Sequence, residues 1–246
     1  MDKLSQFFFK TWQVLGLTTF SRCRICGQVV SQENLQQGWC LTCIKRLRIR
    51  QGGYCPQCGA IYSNEQEDPY LCLECRKKKK PWDRYGFYQR YNGLLRDLIL
   101  AFKFQGCLGY TNVLQYLLQS AYDYHLGGCL PDIIVPVPIG LKRLGYRGFN
   151  QCLELARGLS SYLKVENEFR ALQRVREIRP QSGLGYKERW RNIAKSVIAY
   201  QEMVAGKKVL LVDDIYTTGS TLTTCTNALK NAGAVRVDVL VLARSS

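Results

Sequence analysis

Two short apolar runs without alternation stand out along the 246 residues: Val209–Val212 (VLLV) and the centre of Asp132–Val137 (DIIVPV). Such runs belong to strands buried on both faces, as in a parallel sheet. Trp82–Tyr91 alternates aromatic and polar residues and predicts a third strand; Ser196–Tyr200 and Val235–Leu242 predict two more. Between them the apolar period changes to three and four. Gly93–Phe104 sets Leu94, Leu95, Leu98 and Phe102 on one helical face, and Thr111–Leu126 reads as a second helix ending at Gly127-Gly128. Asn150 opens a third, with Leu155, Ala156, Leu159 and Leu163; Leu222, Cys225, Leu229 and Ala232 mark a fourth. Strands alternating with helices predict an α/β fold, a parallel sheet flanked by helices.

The chemistry concentrates where these elements end. Val209–Val212 is followed by Asp213 and Asp214, read as the end of the strand, and then by Thr217, Thr218, Gly219, Ser220 and Thr221 before the last helix. Backbone N–H groups and hydroxyls at a helix start suit a phosphate dianion, and paired carboxylates accept hydrogen bonds from adjacent hydroxyls. The plain alternative is a buried strand whose acid caps the next helix. After Asp132–Val137, Pro138 and Gly140 force a loop that carries Lys142, Arg143 and Arg147. One strand end thus presents carboxylates and the other presents cations. Lys103, near the end of the first helix, is a candidate anion contact. Residues 170–192, with seven basic residues and little periodicity, read as a basic lid or as a solvated loop. His125 is the only histidine and sits near a helix C-terminus. A helix-end or surface role fits it, and hydrolases built on Ser-His or Cys-His pairs are excluded.

Eight of the twelve cysteines form C-x2-C pairs: Cys23/Cys26, Cys40/Cys43, Cys55/Cys58 and Cys72/Cys75. The first four recur 32 residues later, with Gly27 and Gly59 in register, so the segment is an internal repeat. Four thiolates at this spacing are ligands for structural zinc, two ions in all. Disulfides would require an oxidising compartment, which nothing in the sequence indicates. Ligands pair either sequentially, giving two ribbons, or interleaved. Cys107, Cys129, Cys152 and Cys225 fall in apolar patterns and read as core. Arg76–Lys80 followed by Pro81 is the clearest boundary. The expected organisation is an N-terminal amphipathic segment over residues 1–20, a double zinc ribbon over 21–80 and the α/β domain over 81–246.

The apolar N-terminus is interrupted by Lys10 and lacks a small-residue cleavage site, and no apolar run reaches about 18 residues. A cytoplasmic chain is expected. The formal charge is +16, and residues 142–195 alone hold 13 basic against five acidic residues. That stretch would attract a polyanionic substrate or nucleic acid; a solvated basic face is the simpler reading.

All thirteen positions of Val209–Thr221 resemble the phosphoribosyl pyrophosphate (PRPP) signature of type I phosphoribosyltransferases. The chain as a whole resembles the ComF family. The likeness runs through the double ribbon, Lys103 in FKFQG, the VPVP loop, Arg147-Gly148-Phe149-Asn150-Gln151, Pro180-Gln181-Ser182, Arg189, Asn192 and the closing Ala243-Arg244. It implies a type I phosphoribosyltransferase fold and a link to DNA uptake in natural competence, alongside a DNA-translocating helicase. In a catalytic reading, Asp213 and Asp214 hold the ribose hydroxyls with magnesium. Thr217, Thr218, Gly219, Ser220 and Thr221 bind the 5′-phosphate, and pyrophosphate leaves towards the loop after Val137, near Arg143 and Arg147. Lys187 and Arg189 close over it. The rival reading is a non-catalytic adaptor for single-stranded DNA or protein that keeps a PRPP pocket. No segment names an acceptor base.

Overall fold

The computed structural model describes residues 19–104, 106, 108–175 and 197–245. The chain forms two compact units, Met1–Arg48 and Ile49–Ser246. They part after Arg48, so the second half of the cysteine repeat lies in the larger unit. The predicted N-terminal amphipathic segment lies almost wholly outside the described residues.

The smaller unit contains two short antiparallel pairs, β1 (Phe20–Arg22) with β2 (Val29–Ser31) and β3 (Leu35–Gln36) with β4 (Trp39–Cys40), followed by the helix Leu41–Arg46. Its buried residues are Cys23, Ile25, Trp39, Cys40, Cys43 and Leu47. Among the described residues half of that core is cysteine.

In the larger unit, β5 (Tyr85–Arg90), β6 (Ile133–Pro136), β7 (Glu166–Asn167), β10 (Lys208–Tyr216) and β11 (Arg236–Arg244) form one sheet in the order β5-β11-β10-β6-β7. Every pairing in it is parallel. A separate antiparallel hairpin pairs β8 (Leu172–Arg174) with β9 (Val197–Ala199). Leu210, Leu211, Val212 and Val239–Ala243 are all buried, which is why their runs lack alternation. Val209, Leu211, Val237, Val239 and Val241 share a buried cluster with Leu222, Cys225 and Leu229 of helix Ser220–Asn231. Helix Thr111–Leu126 packs on β5, on β11 and on helix Gln151–Leu163, which itself packs on β6 and β10. Gln115 Nε2 donates to the Glu154 carbonyl at 2.7 Å across that helix pair.

From β6 the chain moves outwards to β7, whereas from β10 it moves the other way to β11. The loops leaving β6 and β10 therefore diverge and open a crevice at the carboxyl ends of the two strands, the place where open α/β sheets bind ligands. The proline-rich end of β6 defines its edge: the β6–β10 ladder stops at Val212↔Pro136, while β10 and β11 stay paired to Tyr216↔Arg244. Strand β10 consequently runs past both acids, four residues beyond Val212. Three other features depart from expectation. The cationic loop contains a short helix, Leu141–Arg147, closed by Gly148 at φ 77°. Leu172–Arg174, assigned to the basic loop, is a strand because β9 pairs with it. His125 is not a surface group. Its ring packs against those of Tyr54, Phe87 and Tyr124 at 4.8–5.5 Å, and burial lowers its pKa to about 4.

Candidate active site and metal centres

The eight paired cysteines gather into two groups, Cys23, Cys26, Cys40 and Cys43, and Cys55, Cys58, Cys72 and Cys75, so the pairing is sequential rather than interleaved. Sulfur–sulfur separations are 3.9 Å (Cys23–Cys43), 3.8 Å (Cys26–Cys40) and 3.7 Å (Cys58–Cys72). Those are far longer than a disulfide of about 2.05 Å. They match the edge, roughly 3.8 Å, of a tetrahedron with zinc–sulfur bonds of about 2.3 Å. Both groups can therefore hold zinc. The knuckles are alike: Gly27 N–H donates to the Cys23 carbonyl and Gly59 N–H to the Cys55 carbonyl, each at 2.8 Å. Both glycines lie in the left-handed region, at φ 73° and 66°. In the second group a hydrogen bond from Cys58 lowers the Cys55 thiol to about 4, against the effect of burial. The same contact, with burial, raises the Cys58 thiol, and burial raises Cys75.

The second knuckle is built into the sheet. Tyr54 packs edge-on to Phe87 at 5.2 Å, and Trp82 Nε1 donates to the Gln57 carbonyl at 2.7 Å. Arg244 Nε donates to the Cys58 carbonyl at 2.9 Å.

At the crevice, helix Gly93–Phe104 delivers Lys103 to the acid pair, with Nζ 2.7 Å from Asp214 Oδ2. Lys103, read from sequence as an anion contact, is thus the ion-pair partner of an acid. Asp213 Oδ1 accepts from the Cys152 thiol at 3.2 Å and from the Asp214 backbone N–H at 2.9 Å. Burial first, and the Asp214 charge second, push Asp213 up to about 7. Cys152, expected to be inert core, is therefore a member of the site. Its place is set by Asn150, whose side chain caps helix Gln151–Leu163 by accepting from the Cys152 N–H at 3.0 Å. The same side chain donates to the Val137 carbonyl at 3.4 Å. Asn150 thus ties the β6 loop to the helix start. The sequence signal for Cys152 was its position two residues after a capping Asn, in a helix that must face β10.

After β10, Thr217, Thr218, Ser220 and Thr221 are exposed and Gly219 is buried. Gly219 has φ 77°, and a Cβ there would lie 2.5 Å from the Tyr216 hydroxyl, so glycine alone fits. Ser220 N–H donates to Thr218 Oγ1 at 3.4 Å, and the twelve-residue helix Ser220–Asn231 starts at this point. The sequence thus places hydroxyls and a helix N-terminus at the carboxyl edge of β10. Arg143 is exposed, Val137 is buried, and the Arg147 guanidinium lies over the Phe104 ring at 4.8 Å. Phe149 packs on Phe102 at 5.2 Å, so the segment carrying Arg147 rests on the helix that carries Lys103. Lys187 and Arg189 lie outside the described residues, as do Pro180, Gln181, Ser182 and Asn192.

Residues 150–246 match the family model of the phosphoribosyl transferase domain. The chain is 32% identical over 223 residues to competence protein F of Haemophilus influenzae, covering 84% of this chain and 96% of that protein. It belongs to the ComF family. Similar relatives include the DNA utilization protein YhgH of Salmonella typhi, 32% identical over 93% of this chain and 99% of that one. Competence protein ComFC of Bacillus subtilis is 26% identical over 84% of each chain. In this ComF protein the phosphoribosyl transferase match begins at the capping Asn150 and takes in Cys152, the acid pair and the hydroxyl loop. Lys103 and both cysteine groups lie upstream of it. Among the described residues no helix is long and apolar enough to cross a membrane.

Proposed function

We propose that this ComF protein binds PRPP in the crevice between the carboxyl ends of β6 and β10 and transfers its phosphoribosyl group. The observation that carries the reading is the succession along β10: two acids past the end of the β6 ladder, then exposed hydroxyls at a helix start. Asp213 and Asp214 hold the two ribose hydroxyls. The backbone and hydroxyls of Thr217, Thr218, Gly219, Ser220 and Thr221 receive the 5′-phosphate. As the bond from C1′ to pyrophosphate breaks, negative charge grows on the leaving oxygens and positive charge on the sugar. Arg143 and Arg147, in the helix that follows β6, meet the first; the carboxylates meet the second. Lys103 pairs with Asp214 beside its neighbour. The acid pair offers oxygen ligands of the kind magnesium prefers, with Asp214 already engaged by Lys103; Asp213 and Asp214 would be the residues to hold the ion. When bound, magnesium would neutralise pyrophosphate charge.

Calorimetric titration with PRPP in the presence of magnesium tests the reading. Binding lost in the Asp213→Asn, Asp214→Asn double variant is the expected result; an affinity the two substitutions leave unchanged overturns it. Pyrophosphate release against a panel of nucleobases then tests turnover.

The names of the relatives, together with the basic excess in residues 142–195, favour one second reading: an adaptor for single-stranded DNA within the cytoplasmic competence machinery, in contact with its helicase. Single-strand binding that weakens with salt and persists without PRPP supports it; absence of binding removes it.

A further inference from the structure

The second cysteine group and the hydroxyl loop meet at one side chain. Arg244, the last residue of β11, donates from Nε to the Cys58 carbonyl at 2.9 Å and from Nη1 to the Thr217 carbonyl at 2.9 Å and that of Tyr216 at 3.3 Å. Its guanidinium lies 4.2 Å from the centre of the Tyr216 ring, whose hydroxyl closes against Gly219. On the knuckle side, Gly59 leaves room for Tyr85: a Cβ there would come within 2.7 Å of that ring. Tyr85 and Tyr216 pack edge to face at 5.6 Å, and Trp82 packs edge-on to Tyr216 at 5.9 Å while holding the Gln57 carbonyl. The carbonyl of one metal ligand and the first residue of the loop therefore share one planar, five-donor group in a buried aromatic setting. A guanidinium fork fixes both acceptors at once, which a flexible ammonium does not.

We infer that Arg244 is a positioning residue coupling the second cysteine group to the hydroxyl loop, so that metal at Cys55, Cys58, Cys72 and Cys75 and a sugar phosphate at Thr217–Thr221 stabilise one another. The inference rests on reading that loop as a phosphate site. Filling the four-thiolate site fixes the Cys58 carbonyl, hence the guanidinium, hence the carbonyls of Tyr216 and Thr217 from which the loop turns. Linkage requires the reverse effect of equal size on affinity: phosphate in the loop must tighten binding of that metal, and slower release is the readout of the tighter site.

The experiment uses the zinc-loaded full chain and ribose 5-phosphate, which carries the 5′-phosphate but not the chelating pyrophosphate. Zinc release to a chromogenic chelator is followed with and without the sugar phosphate, and alkylation mapped by mass spectrometry shows which cysteines become free. Saturating ribose 5-phosphate is expected to slow release from the second group about tenfold, within the usual range of coupling between sites, and to leave the first group unchanged. In Arg244→Lys, two zinc ions per chain and the native circular dichroism are retained but the protection disappears. Calorimetry on the same samples separates the two ideas. No binding of ribose 5-phosphate overturns the phosphate reading and the coupling with it. Binding without protection of the second group, or full protection in Arg244→Lys, overturns the coupling alone.

Discussion

Lys103 Nζ and Asp214 Oδ2 are 2.7 Å apart, and both side chains are almost fully withdrawn from solvent. A helix that precedes β6 thereby neutralises an acid on β10, more than a hundred residues later in the chain. Removing one partner of a buried pair leaves an uncompensated charge, here beside a second carboxyl. Lys103→Met is expected to lower unfolding stability by about 3 kcal/mol in urea titrations. Adding Asp214→Asn should restore part of that loss, and a double variant no more stable than Lys103→Met would argue against the pair as the cause.

Asp213 makes stability depend on pH in an unusual sense. Its folded pKa, about 7, is above the ordinary value of 3.8. The native state therefore holds this proton more tightly than the unfolded chain between those values. The corresponding stabilisation is full below about pH 4 and is lost as pH rises through 7. Urea midpoints across pH 5–8 should fall less steeply in Asp213→Asn than in the natural protein. Cys152→Ala, which removes a donor to Asp213, should move the fall to still higher pH, while Cys152→Ser should not.

His125 acts in the opposite direction. Its folded pKa is about 4, below the ordinary 6.5, so its contribution is complete above 6.5 and disappears as pH falls through 4. Replacing it by Phe, which suits the rings of Tyr54, Phe87 and Tyr124, should flatten the acid limb of the stability profile. An unchanged limb in His125→Phe would show that the ring is not buried as described.

The two cysteine groups should fail differently. Cys26→Ser is expected to lose one zinc ion and leave the main thermal transition in place. Cys58→Ser should lose one zinc ion and also lower that transition, because its knuckle is bonded to Trp82 and Arg244. Structural zinc sites contribute on the order of 10 kcal/mol to the folding of their own segment. Zinc content with differential scanning calorimetry reads both effects.

Gly219→Ala forces a positive φ on a residue with a side chain and drives its Cβ into the Tyr216 hydroxyl. Sugar-phosphate affinity, followed by calorimetry, should fall by at least tenfold while the circular dichroism of the sheet is retained.

What is legible in the sequence is what local rules decide. Helices Gly93–Phe104 and Thr111–Leu126 follow directly from apolar periodicity and a terminal glycine pair, and the knuckles at Gly27 and Gly59 follow from the cysteine repeat. The end of β10 is not local: β6 turns away at its prolines while β11 continues, and only the ladder reveals which partner governs. Cys152 resembles any core cysteine until the fold brings Asp213, 61 residues further on, to its thiol. His125 looks exposed at a helix end because the ring that covers it, Tyr54, belongs to a segment 71 residues earlier. Sequential metal pairing likewise rests on distance, since the spacing admits two arrangements.

Gly27 and Gly59 occupy the same place in the repeat, yet a methyl group on the first would meet nothing within 4 Å, while on the second it would strike Tyr85. The two copies of the knuckle therefore tolerate different changes. Arg24, Gln28 and Val29 beside the first knuckle are exposed, which makes that loop the place to graft a tag, a label or a new recognition loop. Around Cys55–Cys58 the backbone answers to Trp82, Tyr85 and Arg244, and change there must be concerted.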